Sequence, residues 1–306
     1  GNVGACDRSF KSGAGGIPQN SSGSYDGHGA GIVMADSLRW KRVLGKGYSL
    51  FQSAPSAGRQ RAFVLTYHSI GSARGVTEEN FRQQMFWLSN YTAVLELDSI
   101  IRGEWIPSPS GLVCAITFDD GYASVYRSAF PILRRLRMAA TVYLVVEAIG
   151  ETQRRSSNEF DGLYPDEDML TWSEVEEMQK GGLQFGSHLL RHHDLTSLDR
   201  SEADEQLRSS KQRIEELLEV PCTSFCYPWG RHNQAARDAV RRAGYDNAVI
   251  TIQDRWDRAH PPDRYLIPRA DVRRDYTLDD FSRVVQGNWD FLGHIQRFRQ
   301  SSYYTP

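Results

Sequence analysis

Cysteine is scarce in this sequence, which limits both its redox chemistry and its structural metal chemistry. The 306 residues contain four cysteines: Cys6, Cys114, Cys222 and Cys226. They are too sparse for a disulfide framework, and the only close pair, with C-x-x-x-C spacing, lacks the second pair of ligands that a zinc knuckle needs. We therefore expect ordinary buried or free thiols.

Excess charge of one sign and long apolar runs are also missing. The 36 lysines and arginines nearly balance the 38 aspartates and glutamates, so no overall field attracts nucleic acid, and we expect no nucleic-acid partner. The longest apolar runs, such as residues 139–146, have the length of a buried strand, well short of the ~20 residues of a transmembrane segment. The chain begins at Gly1 rather than at methionine. Extracytoplasmic and cytoplasmic localisation therefore both stay open.

The composition and the hydrophobic pattern of the sequence change near residue 61. Residues 1–60 are rich in glycine, serine, asparagine and alanine, which predicts a flexible N-terminal arm. Beyond them, short β-branched apolar runs alternate with helical periods, as repeated βα units do. We predict one barrel domain over residues 61–290, a length that suits a single large core, followed by a C-terminal tail over residues 291–306.

The alternating runs supply seven or eight βα units. Candidate strands are residues 62–67, 93–97, 113–118, 140–146, 183–187, 223–227, 247–251 and 265–268. Helical spacing places Phe81, Met85 and Leu88 on one face, and does the same for Leu207, Ile214 and Leu218. The predicted fold class is α/β, a distorted (β/α)7–8 TIM-like barrel. Such barrels carry their chemistry at the C-terminal ends of the strands.

Polar clusters follow several predicted strands directly. One is the pair Asp119 and Asp120, which a strand delivers before Gly121 breaks it. Neighbouring side chains on a strand diverge, so one carboxylate can bind a cation while the other accepts a proton. The alternative is a turn in which an aspartate caps the next helix.

A second cluster, residues 186–195, contains the spacing His188-x-x-x-His192. On one side of a helical turn the two imidazoles would suit zinc, cobalt or nickel, and with one carboxylate they would leave open positions for water and substrate. The alternative is a solvent-facing basic loop. Asp194 either caps the next helix, which we favour, or orients a ligand imidazole.

TFDDGY at residues 117–122, together with SHLLRHHDL at residues 187–195, resembles the first two motifs of the polysaccharide deacetylase (NodB-like) family, carbohydrate esterase family four. The resemblance spans about residues 63–285. It implies that Asp119 is the catalytic base and that Asp120, His188 and His192 bind one divalent metal ion, zinc first, with cobalt or nickel as alternatives. It also implies a polysaccharide substrate that touches Tyr122.

The third motif of that family departs from its usual form. An arginine normally precedes its proline, whereas this chain has Cys226 followed by Tyr227, Pro228 and Trp229. Cysteine cannot donate the charged fork that would hold the base. We expect Arg269 to replace the missing arginine; otherwise the base is less well oriented. Tyr227, Pro228 and Trp229 are expected to line the groove, Trp229 as a wall for a sugar ring.

The opening strand ends at His68 and resembles the subgroup that deacetylates poly-β-1,6-N-acetylglucosamine in biofilms. By that resemblance His68 is the general acid, with His294 a weaker competitor and simple packing the alternative. The expected activity is hydrolysis of N-acetyl groups on an N-acetylglucosamine-containing exopolysaccharide. Alternatives are deacetylation of chitin, peptidoglycan or acetylxylan, a carbohydrate-binding relative without turnover, and, more distantly, a metal-dependent phosphoesterase.

Overall fold

The computed structural model describes residues 38, 40–45, 60–150 and 162–303, with side chains up to residue 297. The chain divides into two units. The first is residues 1–40, of which only Leu38 and Trp40 are described, and the second is Lys41–Pro306, which contains the sheet and the helices that follow. The predicted flexible arm lies mostly outside the described residues, apart from a helical stretch at 40–45. No described helix is both long and apolar enough to cross a membrane.

Ten strands form one mostly parallel sheet. They are β1 (Arg61–Tyr67), β2 (Ala93–Val94), β3 (Leu112–Phe118), β4 (Thr141–Leu144), β5 (Gln184–Ser187), β6 (Ser224–Cys226), β7 (Asn247–Ile250), β8 (Trp256–Asp257), β9 (Ile267–Pro268) and β10 (Ala270–Asp271). All seven residues of β3 are buried, as are six of the seven in β1. Continuous apolar strands are what a parallel sheet covered on both faces requires.

The sheet closes on itself through one extended segment near the C-terminus. Its order is β10-β1-β3-β4-β5-β6-β7-β9, so β9 pairs with β7 while β10 pairs with β1. Only Arg269 separates β9 from β10. The segment therefore joins the two ends of the sheet, and the predicted distorted α/β barrel is confirmed with seven strand positions around it.

Helices connect most of the strands. They are α1 (Glu78–Tyr91), α2 (Leu97–Ile101), α3 (Phe130–Leu136), α4 (Trp172–Lys180), α5 (Arg200–Leu218), α6 (Gln234–Arg242), α7 (Leu278–Gln286) and α8 (Phe291–Tyr303). The predicted apolar faces of α1 and α5 are confirmed, because Phe81, Met85 and Leu88 are buried on the first and Leu207, Ile214 and Leu218 on the second. Capping boxes fix the starts of α4, α5 and α7.

All eight predicted strands exist, but two further strands, β8 and β10, were missed because each has only two residues. The strand predicted at residues 93–97 shortens to β2, which pairs with the beginning of β3 and lies off the barrel path. Cys114, Cys222 and Cys226 are buried and free, as expected. Cys6 lies outside the described residues.

Candidate metal centre and active site

The paired carboxylates follow β3, which ends at Phe118. Asp119 and Asp120 are each only 4% exposed. Asp120 has φ 73° and Gly121 has φ 86°, so the chain reverses immediately after the first carboxylate. This left-handed turn sends the two carboxylates to different partners: Asp119 contacts Arg269, and Asp120 faces two histidines.

The two histidines follow β5, which ends at Ser187. Residues 188–192 form an irregular loop rather than the helical turn that the spacing predicted. The helical expectation was wrong because Leu189 takes φ 71°, a left-handed conformation that costs an ordinary residue roughly 1–2 kcal/mol. His188 and His192 still converge, since their ring centroids are 4.9 Å apart.

Left-handed backbone is concentrated at this site. Five described residues other than glycine have positive φ. Arg137 and Glu219 end helices, where that conformation is common. The other three are Asp120, Leu189 and Trp229. They lie beyond three different strands at one end of the barrel, and such local cost is typical of a functional site.

Asp120, His188 and His192 form a compact ligand group. Their candidate ligand atoms all lie within 4.8 Å of one another. The Asp120 Oδ1 atom is 3.5 Å from His188 Nε2 and 3.7 Å from His192 Nε2. His188 Nδ1 lies 2.8 Å from the Cys226 carbonyl oxygen. Because that oxygen can only accept, Nδ1 carries the proton and the lone pair of Nε2 faces Asp120.

This group fits a divalent metal ion. Burial and, to a smaller extent, the neighbouring His192 lower the pKa of His188 to about 4, although the two aspartates oppose the change. The imidazole is therefore neutral at physiological pH, as a metal ligand must be. Two imidazole nitrogens and one carboxylate leave coordination positions for water and substrate, the arrangement of hydrolytic zinc sites.

Arg269 forms a bidentate ion pair with Asp119. Its Nη1 and Nη2 donate to Asp119 Oδ1 and Oδ2 at 2.6 and 2.7 Å, and both side chains are buried. Burial alone would raise the pKa of Asp119, but the Arg269 guanidinium holds it well below its usual range. Asp119 is accordingly ionised and fixed in orientation.

The guanidinium also contacts the residue that replaces the motif arginine. Arg269 Nη2 lies 3.1 Å from Cys226 Sγ. Nη1 donates to Thr117 Oγ1 at 3.0 Å, and Nε donates to the Ile250 carbonyl at 3.3 Å. An arginine between β9 and β10 thus reaches the space beside Cys226 and forms the fork that cysteine cannot.

His68 lies just beyond β1 and faces carboxylates. Its Nδ1 is 3.9 Å from Asp271 Oδ1, and its side chain is 36% exposed. Burial lowers the pKa of His68, but the charges of Asp120, Asp119 and Asp271 outweigh burial and raise it above the ordinary value. The structure thus places a partly exposed imidazole with a raised pKa on the same side of the barrel as the ligand group.

Aromatic side chains border the site, although fewer reach the surface than the sequence predicted. Trp229 is 39% exposed and its ring centroid lies 4.3 Å from that of His192, so it can form a wall. Tyr122, Tyr227 and Pro228 are buried. The side chains of Tyr227 and Pro228 therefore do not line the groove as expected, whereas the contact expected near Tyr122 is through a backbone N–H. Tyr227 directly follows β6, and continued alternation of side chains turns it away from the barrel interior. Its ring centroid lies 5.1 Å from that of Phe225.

Two residues at the site, Asp271 and Tyr164, were not predicted from the sequence. Asp271, which lies beside His68, could have been predicted. It follows Arg269 by two positions, and residues two apart share a strand face. Tyr164 could not, since it lies in a loop. Its ring stacks on Tyr122 at 5.2 Å, and its backbone N–H donates to the Tyr122 hydroxyl at 2.8 Å.

One other expectation needs correction. Asp194 does not cap α5, because Asp199 is the N-cap of that helix. Instead Asp194 accepts hydrogen bonds from Thr196 and pairs with Arg231 at 2.9 Å. His294, the weaker candidate for the acid, is exposed on α8.

Comparison with known proteins agrees with this arrangement. Residues 108–248 match the family model described as polysaccharide deacetylase. The chain carries a polysaccharide deacetylase domain. The match includes both aspartates and both histidines of the ligand region, while His68 precedes it and Arg269 follows it.

Two curated relatives are similar to this chain in sequence. The putative polysaccharide deacetylase YxkH of Bacillus subtilis is 28% identical over 192 residues, which cover 61% of this chain and 63% of that protein. The chain thus spans less than two thirds of that relative. The poly-β-1,6-N-acetyl-D-glucosamine N-deacetylase of Staphylococcus aureus strain MRSA252 is 27% identical over 261 residues, which cover 75% of this chain and 83% of that protein.

Solved structures share the fold. The Streptococcus pyogenes deacetylase PplD, determined in complex with acetate, superposes with a TM-score of 0.62 at 20% identity, covering 74% of this chain and 99% of that one. IcaB from Ammonifex degensii superposes with a TM-score of 0.60 at 21% identity, covering 76% and 98%. At these identities the likeness establishes the barrel alone.

Proposed function

We propose that this protein is a metal-dependent hydrolase that removes N-acetyl groups from a polysaccharide containing N-acetylglucosamine. The observation that carries the proposal is the buried group of Asp120, His188 and His192, whose candidate ligand atoms lie within 4.8 Å of one another. Beside it, Asp119 is ionised and held by Arg269. A metal site next to an oriented carboxylate suits attack of water on an amide.

The metal ligands are assigned as Asp120, His188 and His192, with zinc expected and cobalt or nickel as alternatives. A divalent ion held there supplies Lewis acidity that polarises the acetamide carbonyl and lowers the pKa of water from 15.7 toward about 7. Cys226 contributes through its backbone, because its carbonyl fixes the tautomer of His188.

Asp119 serves as the base that accepts the proton of the attacking water. Arg269 keeps its carboxylate ionised and aimed, so no rotation is needed when the proton moves. His68, whose pKa the surrounding carboxylates raise, donates a proton to the departing nitrogen. Water is consumed, the amide C–N bond breaks, and the products are acetate and the free amino sugar.

The substrate is assigned from the relatives and from the rim of the site. Relatives with 27% identity are named as poly-β-1,6-N-acetyl-D-glucosamine N-deacetylases, and the partly exposed Trp229 beside His192 offers an apolar face to a sugar ring. We therefore assign a β-1,6-linked N-acetylglucosamine polymer ahead of chitin, peptidoglycan or acetylxylan.

Acetate release from defined glycans tests the proposal. The metal-loaded protein is incubated separately with β-1,6-linked and β-1,4-linked N-acetylglucosamine oligomers and with acetylxylan. We expect acetate chiefly from the β-1,6-linked oligomer. Release chiefly from another glycan would reassign the substrate, and tight glycan binding without release would indicate a binding protein instead.

Replacing the base separates chemistry from metal binding. Asp119→Asn should lower kcat by at least about 100-fold, since general base catalysis contributes about 10²–10⁴-fold, while bound metal stays stoichiometric. Metal content is measured by elemental analysis. Asp263→Asn is the matched control, because Asp263 also pairs with arginines but lies in the loop before β9. Near-normal turnover in Asp119→Asn would remove Asp119 from the base role.

A further inference from the structure

A line of buried polar groups runs through the barrel beneath Arg269. The Tyr143 hydroxyl lies 2.7 Å from Ser224 Oγ, which is 2.6 Å from Asn247 Oδ1. Asn247 Nδ2 donates to Asp98 Oδ1 at 3.0 Å. The first three of these residues are at most 5% exposed, so the line is shielded from water until it reaches Asp98.

The direction of these hydrogen bonds follows from proton counting. Asn247 Oδ1 can only accept, so the single hydroxyl proton of Ser224 is used there. The Tyr143 hydroxyl must then donate to Ser224. Every bond therefore points from Tyr143 toward the carboxylate of Asp98, and hydrogen bonds in such a chain polarise one another. The result is extra electron density on the Tyr143 oxygen and ring.

That ring lies under the Arg269 guanidinium. Arg269 Cζ is 5.5 Å from the Tyr143 ring centroid, and both side chains are 0% exposed. A desolvated cation over an aromatic face at this distance is a favourable contact. The neighbouring strand makes room for the ring, since a Cβ at Gly186 would lie only 2.5 Å from Tyr143 Cε1.

We propose that Tyr143 is a positioning residue for the deacetylation reaction: its ring, anchored through Ser224 and Asn247 to Asp98, holds Arg269 where its fork meets Asp119. This rests on the proposed function, because Arg269 matters to turnover only if Asp119 is the base. Tyr143 itself touches neither metal ligand nor substrate in this assignment. It acts on the chemistry through Arg269.

A double-mutant cycle tests the coupling. Tyr143→Leu should lower kcat about tenfold with KM unchanged, the size expected for a desolvated cation–π contact. Tyr143→Phe keeps the ring but loses the hydroxyl that anchors it, so kcat should fall by less, about threefold. In the Arg269→Gln background, which removes the cation, Tyr143→Leu should have no further effect on kcat. A merely structural tyrosine would lower kcat by the same factor in both backgrounds.

Tyr245→Leu is the matched control. Tyr245 is also a buried tyrosine, and its hydroxyl donates to the Leu207 carbonyl at 2.9 Å, under α5. It should lose stability comparably but keep wild-type kcat. The proposal is overturned if Tyr143→Phe falls as far as Tyr143→Leu, or if the two effects multiply. If the wild type releases no acetate, the proposed function fails separately. The same four proteins are then compared by their free energies of unfolding. If the losses from the two substitutions simply add, Tyr143 and Arg269 are not coupled and the proposal is overturned.

Discussion

Asp119 and Arg269 form an ion pair with almost no contact with solvent. Removing two charges from water is costly, and the mutual attraction repays this only when the geometry is good and the remaining hydrogen bonds are made. Here both carboxylate oxygens accept from the guanidinium, and Thr117 and the Ile250 carbonyl accept from its other N–H groups. The arrangement favours a fixed, ionised carboxylate over a mobile one.

Removing the cation should therefore affect both stability and rate. Arg269→Gln leaves Asp119 buried without its partner, and we expect a loss of about 3–5 kcal/mol in unfolding free energy. We also expect kcat to fall about 100-fold, because the Asp119 carboxylate loses both its charge partner and the hydrogen bonds that orient it. Denaturant titration and acetate release measure the two effects.

A second substitution serves as a positive control. Cys226 Sγ is 3.1 Å from Arg269 Nη2, so an arginine at position 226 starts beside the space that the guanidinium occupies. Cys226→Arg added to Arg269→Gln should restore part of the lost turnover. Wild-type kcat in Arg269→Gln alone would contradict the positioning role of Arg269.

At the scale of elements, the sequence located the strands but not the loops. Buried parallel strands are continuous apolar runs, and β3 and β4 were visible for that reason. Loop conformation depends on tertiary contacts that one sequence does not display. Because Leu189 is left-handed, residues 188–192 form a loop where a helical turn was predicted. Asp120, His188 and His192 still lie together, because the ends of the strands that precede them converge whatever path the loop takes.

The same distinction applies to individual site residues. Arg269 was predictable from its position after a late strand together with the missing motif arginine. Tyr164 was not, because its stacking on Tyr122 is a tertiary contact made from a loop, without a strand or helix pattern to predict it. The sequence also did not predict the direction of every side chain: Tyr227 lies in the expected motif but is buried against Phe225, away from the barrel interior.

Helix α8 begins directly after Asp290, a carboxyl group with unusual titration. Its side chain is 13% exposed, Arg255 Nε donates to its Oδ2 at 2.7 Å, and its Oδ1 has no hydrogen-bond partner among the described residues. Burial raises its pKa to about 6, although Arg255 opposes the shift. The folded protein therefore binds this proton more tightly than the unfolded chain does.

A raised carboxyl pKa gives stability that is present below the ordinary value of about 3.9 and is lost as the pH rises through about 6. Asp290→Asn removes this titration. Relative to that variant, the wild type should lose about 2 kcal/mol of unfolding free energy between about pH 4.5 and about pH 7.5. Urea titrations at both pH values measure it. Asp279→Asn, on an exposed aspartate of α7, is the control; equal pH dependence in Asp290→Asn and the wild type would refute the assignment.

At the scale of the whole molecule, the candidate metal ligands come from two separate βα units. Asp120 follows β3, whereas His188 and His192 follow β5, and β4 lies between those strands. A bound ion would cross-link the two units in the folded state only, because the unfolded chain does not hold the three ligands together. Metal binding should therefore appear as folding stability, independent of any substrate.

Thermal unfolding of the metal-free protein should respond to added metal. At a free concentration 100 times Kd, a ligand specific for the folded state contributes about 2.7 kcal/mol, which corresponds to a rise in Tm of roughly 5 °C or more for a domain of this size. Zinc, cobalt and nickel are compared after chelator treatment. His192→Ala should lose most of the shift, whereas His294→Ala, which removes an exposed histidine on α8, should retain it. An equal shift in both variants would mean that the ion binds elsewhere, and no shift with any of the three metals would remove the metal from the proposed mechanism while leaving the fold unchallenged.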